Sequence, residues 1–168
     1  TASGGVWKSE DGGIRWKPVF DEQPVSSIGS IAVAASDPNV VYVSIEQGSR
    51  YNASTAYITR AAGLYRSNDR GRTWTFMSNW NPRPMYASQP TIDPNDDQRI
   101  YMLNAYSFSD DGGKSFTAPR TTTHGDDRFV WVNPKDSRHV IKLDDGGIGV
   151  SFDRGPKLLY VSSLPVSQ

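Results

Sequence analysis

The 168-residue sequence predicts an all-β chain assembled from repeated four-stranded units, and three observations carry that prediction. A short motif recurs along the chain, a second marker recurs out of phase with it, and Gly or Pro interrupts every window long enough for a helix. Composition agrees. Five Trp, eight Tyr, fifteen Gly and eleven Pro suit many short strands joined by frequent turns.

The motif is Ser-x-Asp-x-Gly-x-x-aromatic. It begins at Ser9, Ser67, Ser109 and Ser151, and its aspartates fall at 11, 69, 111 and 153, in steps of 58, 42 and 42. The second marker is Asp37-Pro38-Asn39 before VVYVSI, Asp93-Pro94-Asn95 before RIYML and Asn133-Pro134-Lys135 before HVIKL, in steps of 56 and 40. Each unit therefore reads as a short apolar strand, an Asp-Pro turn, a β-branched strand, a second turn, a strand ending in Ser, the Ser-x-Asp-x-Gly turn and an aromatic strand. Four short strands in about 42 residues is the spacing of a β-propeller blade. Residues 1–20 supply the end of one blade, 26–77, 86–118 and 128–161 are successive blades, and 162–168 lead toward a further one. The expectation is an incomplete ring of about three and a half blades, with open edges for the rest of a propeller or a neighbouring subunit to cover.

The repeated residues have local work to do. Gly13, Gly71, Gly113 and Gly155 stand where the turn needs a positive φ. Asp11, Asp69, Asp111 and Asp153 are placed to accept hydrogen bonds from turn N–H groups. Trp16, Trp74 and Phe116 are expected to pack between blades, with Leu158 relaxing the pattern in the last copy. These positions, with Ser9, Ser67, Ser109 and Ser151, read as structural rather than catalytic.

The motif resembles the Asp box, or BNR repeat, of sialidases, xyloglucan-type glycoside hydrolases and sortilin-like (VPS10) propellers. The segments GLYRSNDRGRTW, NPRPMY, HGDDRFVWVNPKD and LDDGGIGVSFDRG are most similar in flavour to the bacterial sortilin-like "glycosyl hydrolase, BNR repeat" group. The resemblance implies an Asp-box propeller exported from a bacterium: secreted, periplasmic or on the cell surface. It does not fix function, since enzymes and binding proteins share the repeat.

Charge and composition exclude several classes. Eighteen Lys+Arg balance eighteen Asp+Glu, so no general attraction to nucleic acid or anionic membrane is expected. No apolar run approaches the ~20 residues of a membrane-spanning helix. The opening TASGGVWKSEDGG lacks the basic start and apolar stretch of a signal peptide. With no Cys, disulfides, thiolate metal sites and cysteine nucleophiles are absent. The Gly pairs precede no helix, which removes a phosphate loop. No cofactor and no metal are expected.

Strand parity locates the functional candidates. The Asp-box turn and the Asp-Pro turn share one face, so the second-to-third-strand and blade-to-blade connections share the other, where the irregular sequence lies. There the segment 79–86 offers Trp80 and Tyr86 as stacking surfaces and Arg83 as a carboxylate donor, or a stiff proline-set crossover whose aromatics cover the core. His124, Asp126, Asp127 and Arg128 form a second connection, either a weak cation site or a turn with surface acids. Asp144 and Asp145 before Gly146-Gly147 read first as hairpin-turn residues. Glu46 is a further carboxylate on the 44–63 insertion, and the Asn52 sequon is expected to be unused.

Two functions compete. A glycoside hydrolase needs two carboxyl groups about 5–9.5 Å apart across an open mouth. The sialidase Arg-Ile-Pro signature and the xyloglucanase Thr-Asp-Val-Gly-Gly segment are both missing, and any pair would be shared with missing blades. A non-catalytic interaction or scaffold module, binding a protein, peptide or carbohydrate through the irregular face, fits better. Carboxylate pairing around the channel would mark the enzyme, and a continuous aromatic patch the binder.

Overall fold

The computed structural model describes residues 4–45, 63–80, 89–103, 106–120 and 126–162. Among them every regular element is a strand, and every sheet is antiparallel. The first sheet pairs β1 (Trp7–Lys8) with β2 (Lys17–Pro18). The second runs in chain order through β3 (Ile28–Val33), β4 (Val41–Ile45), β5 (Leu64–Ser67) and β6 (Thr75–Ser78). The third contains β7 (Pro90–Asp93), β8 (Asp96–Met102) and β9 (Ser107–Ser109). The last contains β10 (Phe129–Val132), β11 (Val140–Asp144), β12 (Gly147–Ser151) and β13 (Leu159–Val161). Meanders of this kind are propeller blades, as the repeat spacing predicts.

The third sheet departs from the four-strand expectation. Its fourth position is one bridge, in which Phe108 and Thr117 exchange N–H···O bonds of 2.9 and 2.8 Å. Pro119 follows two residues later and has no N–H to extend the ladder.

Apolar side chains fill the spaces between successive sheets. Val6, Phe20 and Val25 meet Ile28, Val43, Ile45 and Tyr65 in one cluster. Tyr42 and Leu64 meet Ile100 and Met102 in the next. Tyr101, Leu103, Tyr106 and Phe108 cover Val130, Val132 and Val140 in the last. Full burial of one such side chain contributes roughly 1.5–3 kcal/mol, so these layers hold neighbouring blades together.

The Ser-x-Asp-x-Gly turns act as sequence chemistry requires. Ser67 Oγ donates to Asp69 Oδ1 at 2.8 Å and accepts from Gly71 N–H at 2.8 Å. Asp69 Oδ1 also accepts Arg72 and Thr73 N–H groups at 2.9 Å each, while Oδ2 takes the Thr73 hydroxyl at 2.7 Å. Asp111 repeats the pattern with Ser109, Lys114 and Ser115. These bonds hold both carboxyls down to about 2; for Asp69 the Thr73 N–H is the largest contributor, and for Asp111 the hydrogen bonds outweigh the opposing effect of burial. Gly71, Gly113 and Gly155 have φ of 81°, 91° and 104°. The preceding residue is left-handed too, and in two copies it is not Gly: Arg70 at 61° and Arg154 at 68°. Hydrogen bonds offset that strain, because Arg70 N–H and Nε both donate to Asn39, and Arg154 donates to Asp93 and Asp96.

Trp74 and Phe116 pack between sheets as expected. The Trp74 indole donates to Val19 O at 2.6 Å and meets Phe20 edge-on, and Phe116 stacks on Trp80 with centroids 5.5 Å apart. Trp16 does not: it is 57% exposed, with its indole N–H turned back onto Gly13 O. No sheet precedes it among the described residues to cover it.

The second marker is offset in its last copy. Val33 pairs with Val41 and Val132 with Val140, which places Asp136, not Asn133, in the position of Asp37. The carbonyls of Asp37 and Asp136 accept equivalent N–H groups, from Val40 and His139, both at 2.9 Å. Asn133-Pro134 makes an additional turn earlier in the same connection, closed by Lys135 N–H on Asn133 Oδ1.

Candidate functional site

The two ends of the sheets are chemically distinct. At one end the Ser-x-Asp-x-Gly turns join the first hairpin of the same sheet, through Arg70 N–H to Asn39 O, Gly112 N–H to Gln98 O and Arg154 N–H to Arg138 O. The second-to-third-strand turn at 144–147 lies at the other end, beside the entry to β10, and five of the candidate residues meet there.

Strand alternation places Lys142 and Asp144 on one side of β11. Arg128 N–H donates to Leu143 O at 2.9 Å, drawing the 126–128 segment against the end of that strand. Lys142 Nζ consequently sits between two carboxylates, at 2.8 Å from Asp144 and in direct contact with Asp127. All three side chains are enclosed, Lys142 at 1%, Asp127 at 3% and Asp144 at 0% exposure. Asp127 Oδ2 also accepts Tyr106 N–H at 2.9 Å from the preceding sheet. Asp144 Oδ1 accepts the Tyr160 hydroxyl at 2.8 Å and Gly146 N–H at 2.9 Å. Burial works to raise the Asp144 carboxyl, but Lys142, Tyr160 and Gly146 together hold it below the ordinary carboxylate range. Just outside, Arg128 grips Asp145 with Nε–Oδ1 of 3.0 Å and a second contact of 3.4 Å. Asp126 holds a left-handed φ of 60° beside this pair.

Trp80, the remaining described candidate, is partly buried against the cluster that holds Tyr42, Leu64, Ile100 and Met102, and donates its indole N–H to Ser107 Oγ at 2.9 Å. Its ring lies against the core, and the proline-containing part of the same segment lies outside the described residues. Arg83, Tyr86 and His124 lie outside the described residues, as do Glu46 and Asn52. Sequence reasoning did not single out Lys142 or Tyr160. The signal for Lys142 is a cation in the otherwise apolar run HVIKL, two residues before an Asp.

The chemistry available here is electrostatic locking. Asp127 and Asp144 are two carboxylates that share one buried ammonium, and removing one partner of such a group leaves an uncompensated charge. Among the described residues no group of three or more His, Cys, Asp or Glu is arranged to hold a metal ion. Among the described residues there is no helix long and apolar enough to cross a membrane.

No family model and no curated protein matches the chain. Solved structures do. A GH74 enzyme from Niastella koreensis matches with a TM-score of 0.71 and 16% identity, over 97% of this chain and 27% of its own. An ancestral GH74 enzyme matches with a TM-score of 0.62 and 17% identity, over 81% of this chain and 18% of its own. YCF48 from Cyanidioschyzon merolae matches with a TM-score of 0.53 and 16% identity, over 80% of this chain and 36% of its own. The chain thus spans about a quarter of the length of the first of these proteins. All three are β-propeller proteins. Identity this low carries fold and nothing further, and the fold it carries is the propeller that the meander sheets display.

Proposed function

We propose that this chain is a non-catalytic interaction module of an exported Asp-box propeller, akin to the sortilin-like group, which presents the 126–128 and 144–147 face to a protein, peptide or glycan. The observation that supports this reading is the Asp127–Lys142–Asp144 lock. A glycosidase needs one carboxyl able to hold a proton and a second facing the sugar or its water. Here both buried carboxylates are tied to one ammonium, and Asp145 is tied to Arg128.

A second reading has the GH74 likeness in its favour: the chain is part of a glycoside hydrolase, sialidase- or xyloglucanase-like, whose catalytic residues are shared with other blades. Glycan and peptide arrays, run beside a reducing-end assay on xyloglucan oligosaccharides, separate the two. The interaction reading expects saturable binding, weakened at least tenfold by Arg128→Glu, with no new reducing ends. Hydrolysis that disappears in Asp127→Asn or Asp144→Asn overturns it.

A further inference from the structure

In the third sheet a carboxylate from the next sheet stands in for part of the fourth strand. In the second and last sheets the residue three before the motif Ser, Leu64 or Ile148, pairs with the fourth strand at Ser78 or Val161. Tyr106 holds that place in the third sheet. Two residues along from the Phe108–Thr117 bridge, its rung would need Pro119, which has no N–H, and no rung forms there among the described residues. Tyr106 N–H donates instead to Asp127 Oδ2, at 2.9 Å and out of reach of solvent.

The ions that Asp127 meets are not a requirement of the fold. Pairing of Val41 with Ser67 and of Val140 with Ser151 aligns Val43 with Lys142 and Ile45 with Asp144. In the second sheet these positions are fully buried and apolar. In the last sheet two carboxylates share one ammonium, and the two are held differently. Asp144 lies two residues from Lys142 on the same strand, and Tyr160, Gly146 and Lys142 together keep it below the ordinary carboxylate range. Asp127 reaches Lys142 and Tyr106 from the connecting segment. A single proton on Asp127 therefore leaves Lys142 compensated by Asp144. It also removes the charge that strengthens both contacts of Asp127.

The neighbouring ionisable groups are Lys142 and Asp144 on β11, Tyr160 on β13, and Tyr106, with Tyr101 stacked behind it and Arg99 over the Tyr101 ring. Asp126, Arg128 and Asp145 stand at the rim, Asp145 tied to Arg128. Lysine, arginine and tyrosine keep their protons below pH 7, so only carboxyls change there.

We propose that Asp127 is an acid-released latch between the third and fourth sheets. Proton uptake by its carboxyl frees Tyr106 N–H and loosens the 126–128 segment, while Lys142 and Asp144 stay paired and the sheets stay folded. That the latch governs ligand binding at this face rests on the function proposed above. The latch itself does not, and its test needs no ligand, so either can fail alone.

Amide exchange of the 168-residue protein is followed by NMR from pH 7 to pH 3 and corrected for the intrinsic dependence of exchange on pH, with Val43 on the central strand β4 as internal reference. Protection of the Tyr106 amide should fall at least tenfold relative to Val43 as pH passes through the carboxyl range, around 4. Asp127→Asn, which keeps the shape and has no charge to lose, should show low Tyr106 protection at every pH. Asp144→Asn should move the fall to lower pH, because Asp127 then has the ammonium to itself. In the native chain the Asp127 carboxyl carbon should titrate with the same midpoint as the Tyr106 amide. Simultaneous loss of protection at Tyr106 and Val43, separate midpoints for Asp127 and Tyr106, or a native pH profile in Asp127→Asn overturns the proposal. So does an Asp144→Asn profile that stays in place or moves to higher pH.

Discussion

Gly155→Ala tests whether the Ser-x-Asp-x-Gly turn is also a packing device between sheets. Gly155 has φ of 104°, and a Cβ built on it would lie 2.0 Å from the Tyr106 hydroxyl and 3.3 Å from Tyr101 Cε1. Neither ring has room to retreat, since Tyr106 is 4% exposed and Tyr101 fully buried. Placing an L side chain in the left-handed region costs about 1–2 kcal/mol, and forcing extra volume into a packed layer costs about 1–3 kcal/mol. The substitution should therefore destabilise the protein by about 2–5 kcal/mol. Tyr106→Phe separates the two contributions. It removes an oxygen that is buried without a hydrogen-bond partner, so alone it should be neutral or slightly stabilising. With that oxygen gone, the closest remaining atoms stand at 3.3 Å. The double variant should recover the packing share, about 1–3 kcal/mol, and retain the backbone share. Urea unfolding followed by tryptophan fluorescence gives the four free energies of the cycle. Additivity to within about 0.5 kcal/mol would show that the two residues do not compete for space and would refute the reasoning.

Other consequences follow from the same geometry. Asp111 accepts four hydrogen bonds, and Asp153 accepts only those from Ser151 Oγ and Lys157 N–H, because Pro156 occupies the position that donates in the other copies. Asp111→Ala should cost about 2 kcal/mol and Asp153→Ala about half as much, at roughly 0.5 kcal/mol for each solvent-accessible bond, measured as shifts in the urea midpoint. Asp69 and Asp111 titrate at about 2 in the folded chain, below the unfolded carboxyl. Their contribution is whole above about pH 5 and is lost as pH falls toward 2. The stability gap between the native protein and Asp111→Asn should narrow over that window in acid titrations. Lys142→Met should destabilise by about 3–5 kcal/mol by stranding two buried carboxylates, and adding Asp127→Asn/Asp144→Asn should restore a measurable part of it. Thermal unfolding of the single and triple variants decides the point.

What could be read from the sequence was local or strictly periodic. The turn Asp, its Ser and its Gly lie within a few residues of one another, so their hydrogen bonds follow from spacing alone. Trp74 and Phe116 were readable because the aromatic position repeats. Trp16 holds the same position but stays exposed, since its burial depends on a neighbouring sheet and not on the motif. The Asp-Pro marker misled for a similar reason. The recurring Asx-Pro pair matches Asn133 with Asp37, whereas strand register matches Asp136. Least readable were the polar ties between elements. Arg99 lies 3.8 Å from the Phe108 ring centroid, binds Asp110 at 2.6 Å and reaches the Arg154 carbonyl in the following sheet. No one-dimensional pattern pairs residues so far apart in the chain.

The contrast between the two ends of the sheets bears on where new binding can arise. At the Ser-x-Asp-x-Gly end the same side chains satisfy the same backbone groups in the first three copies, the last losing one donor to Pro156, and the glycines of adjacent copies are pressed against the preceding sheet. Gly113 would put a Cβ 2.4 Å from Leu64, and Gly155 would put one 2.0 Å from Tyr106. Variation there disturbs a turn and an inter-sheet contact together. At the opposite end the 126–128 segment is fixed from beneath by Lys142, while Arg128 and Asp145 remain at the surface. A locked base beneath a changeable surface is the arrangement that lets a loop alter its ligand without unfolding the blade that carries it. Substitutions at Arg128 and Asp145 should accordingly change binding at small cost in stability, and those at Asp127, Lys142 and Asp144 should change stability first.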